Sequence, residues 1–395
     1  MRSLSRGLPF ALVLGYLTAV VWIDLATRAA LRLDVYAALA PVLAAVLCTY
    51  RQTLFVGAVD FVLMVTRHGV MLPSEVTLVD RIGAVLGNVL MVGAAVAVAR
   101  LRRDEDELLE RVRATGEAAQ RALLRPLPLR THGVLVDGFY VSSQREALIG
   151  GDIYEVVDTP YGTRVLIGDV RGKGLGTLGA GAAVLTAFRE AAYHRRDLVS
   201  GVEAMEQGLQ RYHRSAEYQA RSQPDARIRP EEVRMRASEE FVTALVLGAE
   251  EPEEAKEAEG AASAGADDRI HLVLVDCGHL APFLLGPDGG VRELEPLEPG
   301  LPLGLGHLVA APRTAQRVTL PSTARLLACT DGVTEARAPD GAFYPLAERL
   351  TAWAALPTSE LLARLHADLA AHTGGRLQDD VAVLVMERAS AEVSA

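Results

Sequence analysis

The sequence predicts an α+β protein in two parts: a membrane-type helical region over residues 1–99 and a mixed strand-and-helix domain over residues 129–390. Three observations predict it. The first hundred residues hold closely spaced apolar runs with polar breaks. From about residue 133, short β-rich runs alternate with amphipathic stretches at helical spacing. Charge is also partitioned. Residues 1–103 carry ten arginines against five acids, yet the 395-residue chain has a net charge of −10, so the second part is strongly acidic. That acidity argues against nucleic acid as a partner, because phosphate backbones need basic surfaces.

The N-terminal runs cover about 9–23, 35–50, 53–66 and 82–99 and read as four transmembrane helices. Several are shorter than the roughly 20 residues of a full span. The run 53–66 is the weakest and carries Asp60 at its centre; a carboxylate is costly in lipid, so Asp60 should face other helices. The competing reading is a buried helical core. A cleaved signal peptide fits poorly, because apolar runs continue beyond the first. Arg100, Arg102 and Arg103 follow the last run directly and place the remainder of the chain in the cytoplasm. Four spans put Arg2 and Arg6 on the same side; Arg28 and Arg32 fall in an outside loop and oppose the assignment. The expected location is therefore the cell membrane, multi-pass, with the acidic domain cytoplasmic.

Residues 100–128 form a charged linker with helical spacing. Leu101, Leu108, Val112, Ala119 and Ala122 make a thin apolar stripe that could pair two copies of the chain, and Arg125-Pro126-Leu127-Pro128 ends it. In the domain beyond, Val134–Val141, Arg164–Val170, Phe241–Leu247, Ile270–Asp276, Arg325–Cys329 and Val381–Met386 read as strands. In Ile270–Asp276 both alternating sets are mainly apolar, so that strand should be covered on both faces. Helices are expected at 176–197, 199–214 and 359–373. The last has Thr358 or Ser359 as cap, Leu361, Leu362, Leu365 and Leu369 on one face, and Gly374-Gly375 as stop. Two stretches read as insertions: the polar residues 215–238, and the acidic Ala/Gly-rich residues 249–268. Cys48, Cys277 and Cys329 show no disulfide framework or metal spacing and read as small apolar residues.

The chemistry rests on carboxylates at strand ends. Gly150-Gly151-Asp152, Gly168-Asp169-Val170-Arg171-Gly172-Lys173-Gly174, Thr330-Asp331-Gly332 and Asp379-Asp380 each place an aspartate at a turn beside a strand. Mg²⁺ and Mn²⁺ prefer oxygen ligands and keep several waters. Two such ions about 4 Å apart can share a water, lower its pKa and offset charge on phosphoryl oxygens. Each dipeptide alone is an ordinary turn. The lysine-containing glycine turn is not a P-loop, which requires four residues between its glycines and a Ser or Thr after the lysine.

The order of all these motifs resembles the PPM (PP2C-like) serine/threonine phosphatases of the SpoIIE/RsbU type over residues 120–387, apart from the insertions. Gln120-Arg121-Ala122-Leu123-Leu124 with Pro126 and Pro128 matches the start, and Gly150-Gly151-Asp152 and Gly168–Gly174 follow. Phe241-Val242-Thr243, Cys277-Gly278-His279, Pro302-Leu303-Gly304, Thr330–Glu335 and Asp379-Asp380-Val381 then come in the family's order. The resemblance implies an αββα sandwich of two antiparallel sheets flanked by helices. It also implies a phosphatase using two Mn²⁺ or Mg²⁺ and a water nucleophile. On that resemblance Asp169, Asp331 and Asp379 are the catalytic metal ligands, the Val170 carbonyl helps, Asp380 assists, and Asp152 binds directly or through water. Lys173 could attract phosphate. His279 could serve as an acid or support its turn. Glu155 stands where the family has aspartate and could reach the metals through water; Ala382 and Arg171 replace a common threonine and serine. Family partners are phosphorylated anti-sigma factor antagonists in sigma factor regulation. Two alternatives share these features: a non-catalytic membrane receptor with a phosphatase-like binding domain, and a two-metal nucleotide cyclase.

Overall fold

Strand alternation decides which side chains meet in this protein, and it is clearest in the computed structural model. The model describes residues 2–27, 34–67, 77–131, 133–143, 151–172, 175–222, 235, 239–250, 269–286, 288–309 and 312–389. The chain divides into two units, residues 1–112 and 113–395.

The first unit is helical: α1 (Arg2–Ala26), α2 (Asp34–Ala37), α3 (Leu39–Leu47), α4 (Tyr50–Thr66) and the first part of α5 (Leu78–Leu123). Small and aliphatic side chains such as Val13, Leu17, Ala40, Ala44 and Val56 pack its interior. Outward-facing residues include Leu12, Trp22, Val62, Leu86 and Leu90, all more than half exposed. Such an apolar exterior suits lipid better than water. Two stretches, Gly7–Ala26 and Leu78–Gly116, are long and apolar enough to cross a membrane. The runs expected at 35–50 and 53–66 form α2 with α3, and α4, which do not reach that length. Asp60 is 1% exposed and accepts a hydrogen bond from Asn88 Nδ2 at 2.7 Å, so it faces another helix.

The second unit stacks two antiparallel sheets. One has the order β1 (Leu129–Arg130), β2 (Val134–Val141), β11 (Val381–Arg388), β10 (Arg325–Cys329), β7 (Phe283–Leu285), β8 (Val291–Glu293). The other has the order β3 (Asp152–Thr159), β4 (Gly162–Val170), β5 (Val242–Glu250), β6 (Arg269–Cys277), β9 (Gln316–Pro321). The inner faces meet in one core containing Tyr154, Val165, Ile167, Leu245, Leu272, Leu326, Ala382 and Leu384. Against the outer face of the five-stranded sheet lie α6 (Leu175–His194) and α7 (Leu198–Ser222), packed through Val184, Leu185, Val202 and Leu209. Three helices follow β10: α8 (Asp331–Thr334), α9 (Leu346–Trp353) and α10 (Thr358–His372). They cover the six-stranded sheet, with Leu350, Leu361 and Leu365 on its outer side chains. This is the αββα layering expected of the domain.

Local expectations hold with instructive exceptions. β6 is apolar on both faces because Ile270, Leu272 and Leu274 enter the inter-sheet core while Val273 and Val275 meet the helices. α10 stops at Gly374 and Gly375, both with positive φ, where Gly375 N–H reaches back to the Ala370 carbonyl. Its start differs: Thr358 is already helical, and its hydroxyl bonds Glu387 at 2.5 Å rather than capping the helix. α7 runs on to Ser222 and β5 to Glu250; residues 223–234, 236–238 and 251–268 of the expected insertions lie outside the described residues. The thiols of Cys277 and Cys329 are buried and pushed up to about 12 by that burial, so neither is a nucleophile at neutral pH.

Candidate metal centre

Five aspartates gather at one end of the sandwich, and the period-2 rule puts Asp152 and Asp169 on the inner face of their sheet. Asp152 begins β3 and lies on the face of Tyr154 and Val156. Asp169 is the penultimate residue of β4, on the face of Val165 and Ile167, and it is the direct register partner of Asp152. Directly opposed residues on adjacent strands have Cβ atoms about 5 Å apart, so the two carboxylates crowd each other. From the other sheet, Thr330 and Asp331 follow β10, and Asp379 and Asp380 precede β11. A hydrogen bond ties the two sheets here: Thr330 Oγ1 donates to Asp152 Oδ2 at 2.6 Å. The same hydroxyl accepts from Ala382 N–H at 2.9 Å.

Backbone approaches are close around this cluster. A Cβ added to Gly151 would lie 2.5 Å from Asp169 Oδ1 and 2.8 Å from the Val170 carbonyl oxygen. Only glycine lets the chain pass beside those two oxygens. Gly332 is equally constrained, with the Asp380 carbonyl where its Cβ would be. Asp380 is held by Ser143 N–H at 2.8 Å and the Tyr140 hydroxyl at 3.1 Å. Asp379 is exposed and accepts from the Asp380 N–H at 2.8 Å.

The electrostatics are those of unbalanced negative charge. Burial, then Asp331, Asp379 and Asp380, push the Asp169 carboxyl up to about 7. Asp152 is raised well above the usual carboxylate range by burial and by Asp169, with the Thr330 hydroxyl opposing. Burial and Asp379 raise Asp331, and burial raises Asp380 against the pull of Ser143 N–H and Tyr140. Carboxylates that each raise the others' proton affinity form a site that a cation would stabilise. The donors are all hard oxygens, as Mg²⁺ or Mn²⁺ requires. Among the described residues no three Asp, Glu, His or Cys side chains converge on one point. An ion here would therefore take few protein ligands and keep much of its water, which is usual for Mg²⁺. The oxygen donors and the glycine cradle suit a hard divalent cation.

The remaining sequence candidates separate from this cluster. Glu155 shares a face with Ile153 and Val157, opposite to Asp152, and points at the helix layer. It is 0% exposed and pairs with Arg189 Nε at 2.5 Å and Arg125 Nε at 3.0 Å, so it does not reach toward the metal cluster as its sequence position suggested. The physical reason is parity: three residues along a strand reverse the face. His279 sits beside the cluster, its Nδ1 3.2 Å from Thr243 Oγ1, whose backbone pairs with Asp169. Burial holds its imidazole down at about 4, with a weak opposing pull from the Cys329 backbone, so it is neutral at pH 7. Its own N–H is bound by Asp276 Oδ1 at 3.0 Å, which fixes the turn. Lys173 lies outside the described residues. Arg171 stacks its guanidinium 5.2 Å from the Phe241 ring centroid. The sequence reading missed the roles of Thr330 and Tyr140. Alternation from Ala328 and Ala382 on the inner face could have found Thr330.

An αββα sandwich with clustered aspartates at one end of the sheets defines the PP2C class of phosphatase folds. The chain belongs to the SpoIIE family: residues 159–389 match the family described as Stage II sporulation protein E (SpoIIE). A search of curated proteins returns no match. Among solved structures, the RsbU and RsbW domains of a Mycobacterium tuberculosis protein share 22% identity, with 65% of this chain and 60% of that one covered and a TM-score of 0.44. The SiaA PP2C domain of Pseudomonas aeruginosa shares 16%, with 73% and 99% covered and a TM-score of 0.49. The PP2C domain of Bacillus subtilis SpoIIE, with a fragment of its regulatory domain, shares 13%, with 66% and 64% covered and a TM-score of 0.44. The match thus spans less than two thirds of the M. tuberculosis and B. subtilis chains.

Proposed function

We propose that this chain is a membrane-anchored, metal-dependent serine/threonine protein phosphatase that dephosphorylates an anti-sigma factor antagonist. The observation that carries the reading is the mutual crowding of Asp152, Asp169, Asp331 and Asp380 at one end of the sandwich in a SpoIIE-family chain. Asp169, Asp331, Asp379 and the Val170 carbonyl would hold two Mn²⁺ or Mg²⁺, with Asp152 bound directly or through water and Asp380 assisting. When bound, the ions would supply an activated water and charge compensation for the phosphoryl oxygens.

The protein's own contribution is placement. β3 and β4 fix Asp152 opposite Asp169, and the Thr330 hydroxyl holds the Asp152 carboxylate from the other sheet. Tyr140 and Ser143 N–H hold Asp380. Asp379 and Asp331 are less enclosed, which leaves an approach for a phosphorylated side chain. His279, neutral and bound within its turn, supports Thr243 and the strand carrying Asp169. The apolar exterior of the first unit and Arg100, Arg102 and Arg103 support a membrane region of four helices with the catalytic unit cytoplasmic. The helix continuing to Leu123 supports a signalling linker, through which two copies could pair over residues 100–128.

The test is hydrolysis of p-nitrophenyl phosphate and of a serine-phosphorylated antagonist by the full chain, with Mn²⁺ and with EDTA. Turnover that needs the metal and vanishes in Asp331→Asn is expected. A folded protein that binds Mn²⁺ but turns over neither substrate would leave only the binding-module reading.

A further inference from the structure

The helical unit encloses a second polar site that the phosphatase reading does not use. A cavity of about 120 Å³ lies among α1, α2, α4 and α5, with aliphatic walls that include Val21 and Leu63. Five polar residues line it: Asp24, Asp60, Thr66, Arg67 and Asn88. Two of them neutralise each other, since Arg67 Nε lies 2.7 Å from Asp24 Oδ2. Asp60, 1% exposed, is paired with no cation among the described residues; it receives one hydrogen bond, from Asn88 Nδ2 at 2.7 Å. Asn88 is 4% exposed, and its Oδ1 has no hydrogen-bond partner among the described residues.

The cavity therefore presents two acceptors side by side, one of them carrying a formal negative charge, against an aliphatic wall. Buried acceptors are normally satisfied, and a buried carboxylate is normally paired. One ligand chemistry meets both needs: a positive group with several N–H donors on a short apolar body. Water alone would satisfy Asn88 but leave the charge of Asp60 unbalanced. A bare inorganic cation would gain nothing from the aliphatic wall.

We propose that this cavity binds a small organic ammonium ion, its N–H groups donating to Asp60 and to Asn88 Oδ1 and its carbon chain lying against Val21 and Leu63. A volume near 120 Å³ corresponds to about four water molecules, which limits the body to a short chain. The inference concerns binding and is independent of the proposed phosphatase activity.

The experiment is isothermal titration calorimetry of the full chain in lipid nanodiscs at pH 7.5, with n-butylammonium, its neutral counterpart n-butanol, and Na⁺ as probes. Saturable binding of butylammonium about tenfold or more tighter than butanol is expected, from its charge-assisted bonds. Asp60→Asn and Asn88→Leu should each weaken butylammonium about tenfold or more, and Val21→Trp, which fills the cavity and leaves both polar residues in place, should abolish binding. Circular dichroism checks folding, and if Asp60→Asn does not fold, Val21→Trp and Asn88→Leu decide. Butanol binding as tightly as butylammonium would overturn the proposal, because it would mean Asp60 is protonated and shares its proton with Asn88. Na⁺ binding as tightly, or butylammonium binding unchanged in Val21→Trp, would overturn it equally.

Discussion

Asp152 and Glu155 stand three residues apart on one strand, and both are buried, at 1% and 0% exposure. Their surroundings are opposite. Glu155 faces two guanidinium groups, of Arg189 and Arg125, and is bonded by Val156 N–H. Asp152 faces Asp169, Asp331 and Asp380, and the Thr330 hydroxyl donates to its side chain. Burial alone therefore does not mark function in this protein. A buried carboxylate with cations around it fastens helix to sheet, while one among other carboxylates is unfinished without a ligand.

The largest effect should come from the unbalanced side. Asp169→Asn removes a central oxygen donor, and turnover should fall on the order of 10³-fold or more, the scale of lost charge stabilisation in a metal-assisted reaction. The metal-free protein should be no less stable, because an amide there needs no proton and repels no neighbour. Thermal melts in EDTA beside kinetics in Mn²⁺ measure both; retained turnover would remove Asp169 from the metal assignment.

Thr330→Val should have the next largest effect. It deletes the hydrogen bond that carries Asp152 from one sheet to the other while keeping the side chain's shape. Supporting partners of this kind typically cost 10–100-fold in metal affinity or activity. The Mn²⁺ concentration for half-maximal rate should rise. An unchanged Mn²⁺ requirement would mean that Asp152 needs no orientation from the opposite sheet.

Acidity sharpens the comparison further. Asp169 titrates near 7 in the metal-free fold, above the value of about 4 in an unfolded chain. Its contribution to stability is full below that lower value and is lost as pH rises through about 7. The metal-free protein should thus melt at progressively lower temperature from about pH 4 to pH 7, with the other raised aspartates adding in the same direction. Bound divalent cation should reverse the trend, so the Mn²⁺-induced rise in Tm should grow across that range. A rise in Tm that stays constant with pH would show that the carboxylates do not change protonation on metal binding.

Much of this was legible in the sequence, and the failures have physical causes. Runs such as Val134–Val141 and Arg325–Cys329 were readable because both strands are enriched in apolar residues. β3 was not, because its Asp, Glu and Tyr residues disguise a buried strand. The short strands β1, β7 and β8 carry too few residues for any period to appear. The aspartates were legible as a set through their motifs and order. What the motifs hid was parity: once Asp152 is assigned to the inner face, Glu155 must point outward, and two distant arginines must come to it. Those arginines are 30 and 34 residues away in the chain, beyond any local pattern. The Asp60–Asn88 pair was half legible, since a carboxylate in an apolar run demands a partner but does not name it.

The smallest effect on catalysis should come from Glu155→Gln, and its size follows from where the charges are left. Removing one member of a fully buried ion pair costs about 3–5 kcal/mol, because the other charge stays buried. Here Arg125 and Arg189 are 53% and 37% exposed at the side chain, so both can turn to water. Glutamine also keeps an oxygen to accept from one of them. The loss should therefore be about 1–2 kcal/mol, seen as a Tm lower by roughly 2–6 °C. Turnover per folded molecule and the Mn²⁺ requirement should be unchanged, because the side chain lies on the helix side of the strand. A raised Mn²⁺ requirement in a variant of normal stability would return Glu155 to the metal site and erase the distinction between the two carboxylates. Normal turnover with a lowered Tm would fix it.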